Sequence, residues 1–260
     1  MSDELVHLEV KGGVGMITLD SPHNRNALSR RLRADLERHL TAALADPGVR
    51  IVLLTGTGPA FCSGADLKER READDPTPSP RPSGLTPILT AMWEAPKPIV
   101  CRINGAVRAG GLGLVAACDI AVAPETTTFA VTEVRIGVTP AIVAVVLLPK
   151  LGEARAMELF LTGDTFDAKA AVAYGLLTAA APDGRLDEVV DRYVASLLKG
   201  APGAMAATKR LVRDLPKLPS MEAAFAEMGE RSERYFRSEE AREGMTAFAE
   251  KRAPRWAAGG

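Results

Sequence analysis

Two glycine-containing segments of this 260-residue chain could stabilise negative charge with backbone N–H groups. They read Phe61-Cys-Ser-Gly-Ala-Asp-Leu67 and Asn104-Gly-Ala-Val-Arg-Ala-Gly-Gly-Leu-Gly-Leu114, and each follows a short apolar, β-rich run. Small residues at a strand-to-helix turn expose the amides of a helix N-terminus, and such amides bind anions or a developing oxyanion. Neither segment has the Lys-Ser/Thr of a phosphate-binding loop or the Gly-x-Gly-x-x-Gly spacing of a dinucleotide-binding turn. Two such turns in matching contexts together predict an oxyanion site.

A third segment, Phe129 to Pro140, carries one carboxylate, Glu133, in otherwise apolar surroundings. The sequence leaves three alternatives open for this side chain. It is exposed by a local irregularity, or it is paired with Arg135, or it lies in an apolar pocket. In the last case burial would raise its pKa, which is the arrangement of a general acid or base.

The elements that must position these segments alternate between strands and helices. Short β-rich runs bounded by Gly or Pro predict strands at 15–19, 51–55, 99–103 and 119–123. Leucines spaced four residues apart from 28 to 44 predict a helix between the first two strands, capped by Ser29 or Asn26 and ended by Asp46-Pro-Gly48. This alternation predicts an α/β fold of ββα or βαβ units.

The second half of the chain is predicted to be mainly helical. Helical spacing and capping residues predict helices at 153–161, 167–174, 186–198, 203–215, 220–237 and 238–252. We divide the chain into a core at 1–198 and a C-terminal helical region at 199–260. Residues 68–87 are charged and then proline-rich, which is typical of a solvated loop or of a mobile lid beside 61–67.

Composition excludes several classes of protein. The chain has 32 Lys and Arg against 33 Asp and Glu, a net charge of −1, and 5% aromatic residues, so nucleic acid is not an expected partner. The longest apolar run, Ala141 to Leu148, is too short to cross a membrane, and the N-terminus does not resemble a signal peptide. Three cysteines match no zinc pattern, and they are expected to be reduced and near a core. These features predict a cytoplasmic protein without a metal.

Several motifs in a fixed order resemble the enoyl-CoA hydratase/isomerase family, the crotonase superfamily, from about Val10 to Arg252. The motifs are Asn26-Ala-Leu28, Ala60-Phe-Cys-Ser-Gly-Ala-Asp-Leu67, Pro96-Lys-Pro-Ile-Val100, Asn104-Gly with Gly110-Gly111, Ala117-Cys-Asp-Ile120, Phe129 to Gly137, Leu161-Thr-Gly163, Ala173-Tyr-Gly-Leu-Leu177 and Glu243-Gly-Met-Thr-Ala-Phe-Ala-Glu-Lys251. The resemblance implies a crotonase-like spiral of ββα units with a C-terminal helical region that builds homotrimers or homohexamers. It also implies an enzyme of fatty-acid and lipid metabolism.

The resemblance further implies an acyl-CoA thioester as substrate, with CoA as part of the substrate and no separate cofactor. The backbone N–H groups of Ala65 and Gly110 match an oxyanion hole, and Glu133 matches an acid/base. Other positions match those that meet CoA: Arg25, Ser63, Asp66, Leu67, and, commonly from a neighbouring subunit, Phe248 and Lys251.

One position departs from the family pattern. Two-glutamate hydratases carry a first glutamate where this chain has Gly113, and glycine cannot transfer a proton. In this departure the chain resembles a methylglutaconyl-CoA-hydratase-like branch of the family, which lacks the first glutamate. Hydration of a 2-enoyl-CoA by Glu133 is the favoured interpretation. A Δ3,Δ2-enoyl-CoA isomerase with Glu133 as its sole base and a non-catalytic acyl-CoA-binding protein are the alternatives.

Arg108 is unusual because its neighbours before the second glycine turn are small residues. It is either a surface residue or, with Gly113, part of the acyl pocket, where it would select a carboxylated acyl group. Chain-length specificity is expected in residues 68–87, in residues 138–148 and in the C-terminal helices.

Overall fold

The structure is a computed structural model that describes residues 4–72 and 84–257. Within these residues, ten strands form two sheets. In chain order the strands are Val6–Lys11 (β1), Val14–Leu19 (β2), Ile51–Gly56 (β3), Ala60–Cys62 (β4), Ile99–Arg102 (β5), Ala106–Arg108 (β6), Ile120–Pro124 (β7), Thr128–Ala130 (β8), Phe166–Asp167 (β9) and Ala179–Ala181 (β10). The larger sheet has the order β1-β2-β3-β5-β7-β10, and the smaller one has the order β4-β6-β8-β9.

Ten α-helices connect and cover the sheets in the same part of the chain. They are Arg30–Ala45 (α1), Leu67–Glu72 (α2), Leu85–Glu94 (α3), Gly110–Ala117 (α4), Ala141–Thr162 (α5), Ala168–Ala173 (α6), Leu186–Leu198 (α7), Pro202–Asp214 (α8), Met221–Phe236 (α9) and Glu239–Ala249 (α10). Helix α5 is broken at Gly152, whose φ of 70° and ψ of 165° are not helical.

The chain repeats a ββα unit, as predicted for an α/β fold. In the units that begin with β3, β5 and β7, the first strand joins the larger sheet and the second joins the smaller sheet. A helix then follows. Strands β4, β6 and β8 pair in parallel, with Ala60 opposite Ala106 and Val107 opposite Phe129. Because parallel strands end at the same edge of a sheet, the turns that follow these three strands lie side by side.

Apolar side chains cover both faces of the larger sheet. On one face Val52, Leu54 and Cys101 belong to a core shared with α1, α3, α4 and α5. On the other face Ile51, Val100 and Val122 pack with residues of α7. A parallel sheet buried on both faces requires such nearly continuous apolar strands, which explains why the sequence shows runs rather than alternation.

The C-terminal helices fold back onto this core through Asp119. Its carboxylate accepts hydrogen bonds from the Ile99 N–H at 2.8 Å and from Arg213 of α8 at 2.9 Å, and it forms an ion pair with Lys209 of α8 at 2.7 Å. Asp119 is therefore a structural residue at the start of a strand.

The element boundaries differ from the sequence predictions in a few places. Strands β1, β4, β6, β8, β9 and β10 were not predicted. All of them except the six-residue β1 have only two or three residues, which are too few to carry a periodic signal. The predicted helix at 153–161 is only the second part of α5. The last helix ends at Ala249, so Lys251 lies beyond it, and Lys251 adopts a left-handed φ of 54°. The ends of the predicted 68–87 loop are helical in α2 and α3, and the rest, residues 73–83, lies outside the described residues.

Asn26 is a buried connector and not a helix cap. The cap of α1 is Ser29, whose Oγ accepts a hydrogen bond from the Leu32 N–H at 3.2 Å. The Asn26 carboxamide accepts from the Ser21 N–H at 2.7 Å and donates to the carbonyls of Thr57 at 3.0 Å and Ala60 at 2.9 Å. It thereby ties the loop before α1 to the β3–β4 connection.

We expect Asn26→Gly to lower the free energy of unfolding by about 2–3 kcal/mol, because the Ser21 N–H and the Thr57 carbonyl lose this partner and the Ala60 carbonyl keeps only a longer bond from Asn104 at 3.3 Å. Glycine tolerates the left-handed φ of 55° at this position, so the loss would report the hydrogen bonds and not backbone strain. Urea unfolding measures the change. The control is Asn24→Gly, which removes longer side-chain bonds of 3.3 and 3.5 Å from the same loop. Equal effects of the two substitutions would contradict the role of Asn26.

Candidate active site

The first glycine turn follows β4 and is held against the start of α1. Gly64 has a φ of 89°, and its carbonyl accepts a hydrogen bond from the Leu28 N–H at 2.8 Å. This hydrogen bond belongs to an isolated parallel β-bridge between Leu28 and Ala65. The Ala65 N–H is not one of the donors of that bridge. Cys62, just before the turn, is fully buried, and burial raises its thiol pKa to about 12. Cys62 is therefore neutral and is not a nucleophile.

The second glycine turn follows β6 and opens α4. Helix α4 begins at Gly110, so the N–H of Gly110 has no acceptor within the helix. The preceding residue, Ala109, has a φ of 46° and a ψ of −119°, a conformation that disfavours any side chain with a Cβ. Its N–H donates to the Ala130 carbonyl of β8 at 3.0 Å. This bond holds the turn in a strained conformation.

The two turns touch each other through their backbones. A Cβ added to Gly64 would lie 2.8 Å from the Ala109 Cβ and 3.3 Å from the Gly110 nitrogen, and a Cβ added to Gly110 would lie 2.9 Å from Leu28 Cδ1. A side chain is excluded at Gly64 by this contact and by its φ of 89°, whereas at Gly110 the Leu28 side chain would have to move. The amides of Ala65 and Gly110 therefore belong to adjacent backbone segments, and such proximity is a precondition for two donors to share one oxyanion.

Glu133 lies in a 3₁₀ turn, Glu133–Ile136, that begins shortly after β8. Its side chain is half-buried, its Oε2 has no hydrogen-bond partner among the described residues, and burial raises its carboxyl pKa. Arg135 does not pair with it, because the Arg135 guanidinium donates to Asp164 at 2.5 Å and to the Thr162 carbonyl at 3.2 Å. Of the three alternatives, burial of an oxygen without a partner agrees best with the last one, and a carboxyl group whose pKa is raised by burial suits acid/base chemistry.

Gly113 is buried in α4, and apolar atoms fill the space beside it. A Cβ at this position would lie 2.8 Å from Val143 Cγ1 and 3.3 Å from Leu89 Cδ1. The space directly beside Gly113, where a side chain would begin, is therefore filled by these two residues.

The Arg108 guanidinium points away from the glycine turns. It donates to the Thr128 carbonyl at 2.6 Å, to the Thr128 Oγ1 at 2.9 Å and to the Val107 carbonyl at 2.9 Å. Arg108 is opposite Ala130 in the sheet, so Thr128 lies two residues back along β8, away from the edge where Gly110 and Glu133 follow. Arg108 links β6 to β8, and the structure does not bring its charge to the acid/base group.

Backbone and side-chain hydrogen bonds hold three of the predicted CoA-binding residues in place around the first turn. The Ser63 N–H donates to the Arg25 carbonyl at 3.0 Å, and the Asp66 carboxylate accepts from the N–H groups of Lys68 and Glu69 at the start of α2. Arg25 is exposed and forms no ion pair within residues 4–72 and 84–257. Leu67, the fourth predicted CoA-binding residue near this turn, is 50% exposed.

The other two predicted CoA-binding residues lie at the end of the last helix. Phe248 is 87% exposed, and Lys251 is exposed just beyond α10. In the part of the chain that the structure describes, no hydrogen bond or ion pair joins them to the first turn.

Sequence reasoning missed two residues that shape the site. Ala109 stands where the backbone favours glycine, and its position before Gly110-Gly111 is a signal that could have revealed it. Val143 fills the space beside Gly113 from another helix, and no local pattern signals that contact.

A comparison with known families matches residues 9–259 to the family described as enoyl-CoA hydratase/isomerase. The chain belongs to this family. A curated relative from Thermus thermophilus, named "Putative enoyl-CoA hydratase", is 37% identical over 249 residues, which are 95% of this chain and 98% of the relative. The (E)-benzylidenesuccinyl-CoA hydratase of Thauera aromatica is 31% identical over 96% of this chain and 97% of its own.

Solved structures of the family share the fold. The enoyl-CoA hydratase of Mycobacterium smegmatis superimposes with a TM-score of 0.88 at 31% identity, over 98% of this chain and 99% of the other. The two sheets, the ββα repeat and the helical C-terminal region are thus those of the crotonase fold, as predicted. None of the helices in the described ranges is long and apolar enough to cross a membrane. No group of three or more metal-ligating side chains is found among those residues.

We expect Ala109→Gly to raise the free energy of unfolding by about 1 kcal/mol. Relief of a strained φ and ψ contributes about 1–3 kcal/mol, and the greater freedom of glycine in the unfolded chain offsets part of it. The matched control is Ala106→Gly, the same substitution three residues earlier in β6, which should be destabilising. Thermal or urea unfolding measures both variants, and a less stable Ala109→Gly protein would contradict the strain.

Glu133 also predicts a dependence of stability on pH. Because burial raises its folded-state pKa, the folded protein binds this proton more tightly than the unfolded chain does. Its contribution to the free energy of unfolding is therefore present at low pH and is lost as the pH rises through the raised pKa. The free energy of unfolding of Glu133→Gln minus that of the native protein should therefore be more positive at pH 8 than at pH 4. Urea unfolding of both proteins at both pH values measures this difference. A stability difference that does not change with pH would contradict the assignment.

Proposed function

We propose that this protein catalyses proton transfer on an acyl-CoA thioester through an enolate, and that hydration of a 2-enoyl-CoA is its reaction. One observation carries the proposal. The turns with the Ala65 amide, the Gly110 amide and the Glu133 carboxyl follow three neighbouring parallel strands, so all three groups meet at one edge of the smaller sheet. The hydratase names of the relatives support the same reaction class.

In the proposed reaction the thioester oxygen accepts hydrogen bonds from the Ala65 and Gly110 N–H groups. Negative charge moves onto this oxygen as the enolate forms, and one such donor is worth about 3–4 kcal/mol of barrier. The amides are fixed by the backbone contact at Gly64, so they need no reorganisation during the reaction. This arrangement serves any reaction that passes through a thioester enolate.

Glu133 supplies the acid/base step. In hydration its carboxylate removes a proton from water as the oxygen adds to C3, and the resulting carboxylic acid returns a proton to C2 of the enolate. Burial raises the Glu133 pKa, which makes the group a better base when ionised and brings it closer to the operating pH of a proton shuttle.

A Δ3,Δ2-enoyl-CoA isomerase is the second candidate, and the surroundings of Gly113 favour it. Val143 and Leu89 fill the space where a second acid/base side chain would lie. A shift of a proton from C2 to C4 needs only one base, which Glu133 provides. Membership of the methylglutaconyl-CoA-hydratase-like branch belongs instead with the proposed hydration, and Gly113 is one of the residues that support it.

The CoA portion is proposed to bind between two subunits. Arg25, Ser63, Asp66 and Leu67 would hold the nucleotide from one side of the first turn. Phe248 and Lys251 would reach it from the neighbouring subunit of a homotrimer or homohexamer. Exposed apolar side chains on the C-terminal helices support such an assembly, including Met221, Phe225 and Phe236 of α9.

An apolar groove between α3 and α5 is proposed to accept the acyl chain. It has a volume of about 480 Å³ and is lined by residues that include Leu89, Thr90, Trp93, Ile142 and Val145. Leu89 also contacts the space beside Gly113, so the groove adjoins the proposed site. The groove includes part of the 138–148 segment that was predicted to set specificity.

Two substrates separate the candidate functions. We expect the enoyl-thioester absorbance to fall when the protein is mixed with crotonyl-CoA if it is a hydratase, and to rise with a 3-enoyl-CoA if it is an isomerase. Tight binding of both compounds without either change would identify a non-catalytic acyl-CoA-binding protein and contradict the proposal.

Glu133→Gln should lower kcat for either reaction by a factor of about 10²–10⁴, because the amide cannot transfer the proton. The matched control is Glu125→Gln, at an exposed glutamate that follows β7. The measurement is initial-rate kinetics with both substrates. A variant that retains the native rate would show that another group is the base.

A further inference from the structure

Gly113 lies on the reactive face of α4. It is three residues after Gly110, and residues three apart lie on the same face of a helix. Glycine in a helix interior is destabilising relative to alanine, so we look for a packing reason for the buried glycine at this position. That reason is the approach of Val143 and Leu89, whose carbon atoms would lie 2.8 and 3.3 Å from any Cβ at 113.

Val143 belongs to the helix that follows the Glu133 turn. It is 3% exposed, and it reaches Gly113 with both its Cγ1 and its Cβ, the latter at 3.4 Å from the added Cβ. A valine side chain is stiff because its preferred rotamer in a helix is strongly restricted, so it cannot swing away from the contact. Leu89 of α3 closes the same space from another helix. The volume is therefore filled by branched apolar groups.

We propose that Val143 is a specificity-determining residue, whose side chain occupies the volume beside Gly113 and keeps one side of the site apolar. This inference rests on the proposed function. Val143 would exclude a second carboxyl group and the water that such a group could hold, and Glu133 would be left as the sole proton-transfer group.

The consequence is a bias between two reactions. In isomerisation Glu133 takes a proton from C2 of a 3-enoyl thioester, and a C2–C3 double bond forms as the electrons of the C3–C4 double bond take the proton back at C4. No atom is gained or lost, and one carboxyl group completes the cycle. Hydration must also bind and orient water, and with Val143 beside Gly113 the Glu133 carboxyl is the one acid/base group left in the proposed site to do so.

The test introduces a carboxyl group at position 113, first with Val143 present and then with Val143 shortened to alanine. Gly113→Glu alone should lower the thermal midpoint, because its side chain collides with Val143. Gly113→Glu combined with Val143→Ala should recover most of that loss. The matched control combines Gly113→Glu with Val146→Ala, a valine of the same helix with the same 3% exposure whose atoms are not among the three nearest to a Cβ at 113, and it should recover little.

The same variants report the chemistry. The ratio of crotonyl-CoA hydration to 3-enoyl-CoA isomerisation should rise at least tenfold in the Gly113→Glu/Val143→Ala protein relative to Val143→Ala alone. Equal recovery of the thermal midpoint by Val146→Ala would overturn the role of Val143, and so would an unchanged ratio in a stable double variant. Absence of both reactions from the native protein would instead overturn the proposed function.

Discussion

The contact between the backbones at Gly64 and Gly110 is the constraint on which the site depends. The two turns can approach closely because Gly64 carries no Cβ, and the strand pairing β4–β6–β8 leaves little freedom for either turn to move away. The donors of the proposed oxyanion hole are main-chain amides, so their directions follow from the sheet and not from side-chain rotamers. Ala109 adopts a strained conformation next to this contact, and its bond to Ala130 holds it there.

The electrostatic surroundings of the site depend on two arginine side chains that are held away from it by other partners. Arg135 is two residues from Glu133, yet its guanidinium donates to Asp164 and to the carbonyl of Thr162, the last residue of α5. Arg108 is bound to Thr128 on the far side of β8. Within residues 4–72 and 84–257 the Glu133 carboxyl consequently has no cationic partner, and burial rather than a nearby charge raises its pKa.

Charges away from the site serve the assembly of the fold. Asp119 joins the start of β7 to Lys209 and Arg213 of α8, which holds the first of the C-terminal helices against the core. The end of α10 remains exposed, with Phe248 available to a second subunit in the proposed assembly. The core and the C-terminal region thus have different physical tasks, although they pack together in one chain.

The sequence by itself determined the α/β alternation, most helix boundaries within one or two residues, and the two glycine turns with Glu133 as the group of interest. These features are local: strand runs, leucine spacing and capping residues act within a few positions along the chain. It could not determine the short strands of the smaller sheet, which are too brief to show a period. It also could not decide among the three alternatives for Glu133 or show that Arg108 points away. Only the tertiary structure decided these questions, and only it put Val143 against Gly113, because contacts between residues far apart in sequence arise when separate helices and strands pack into one core.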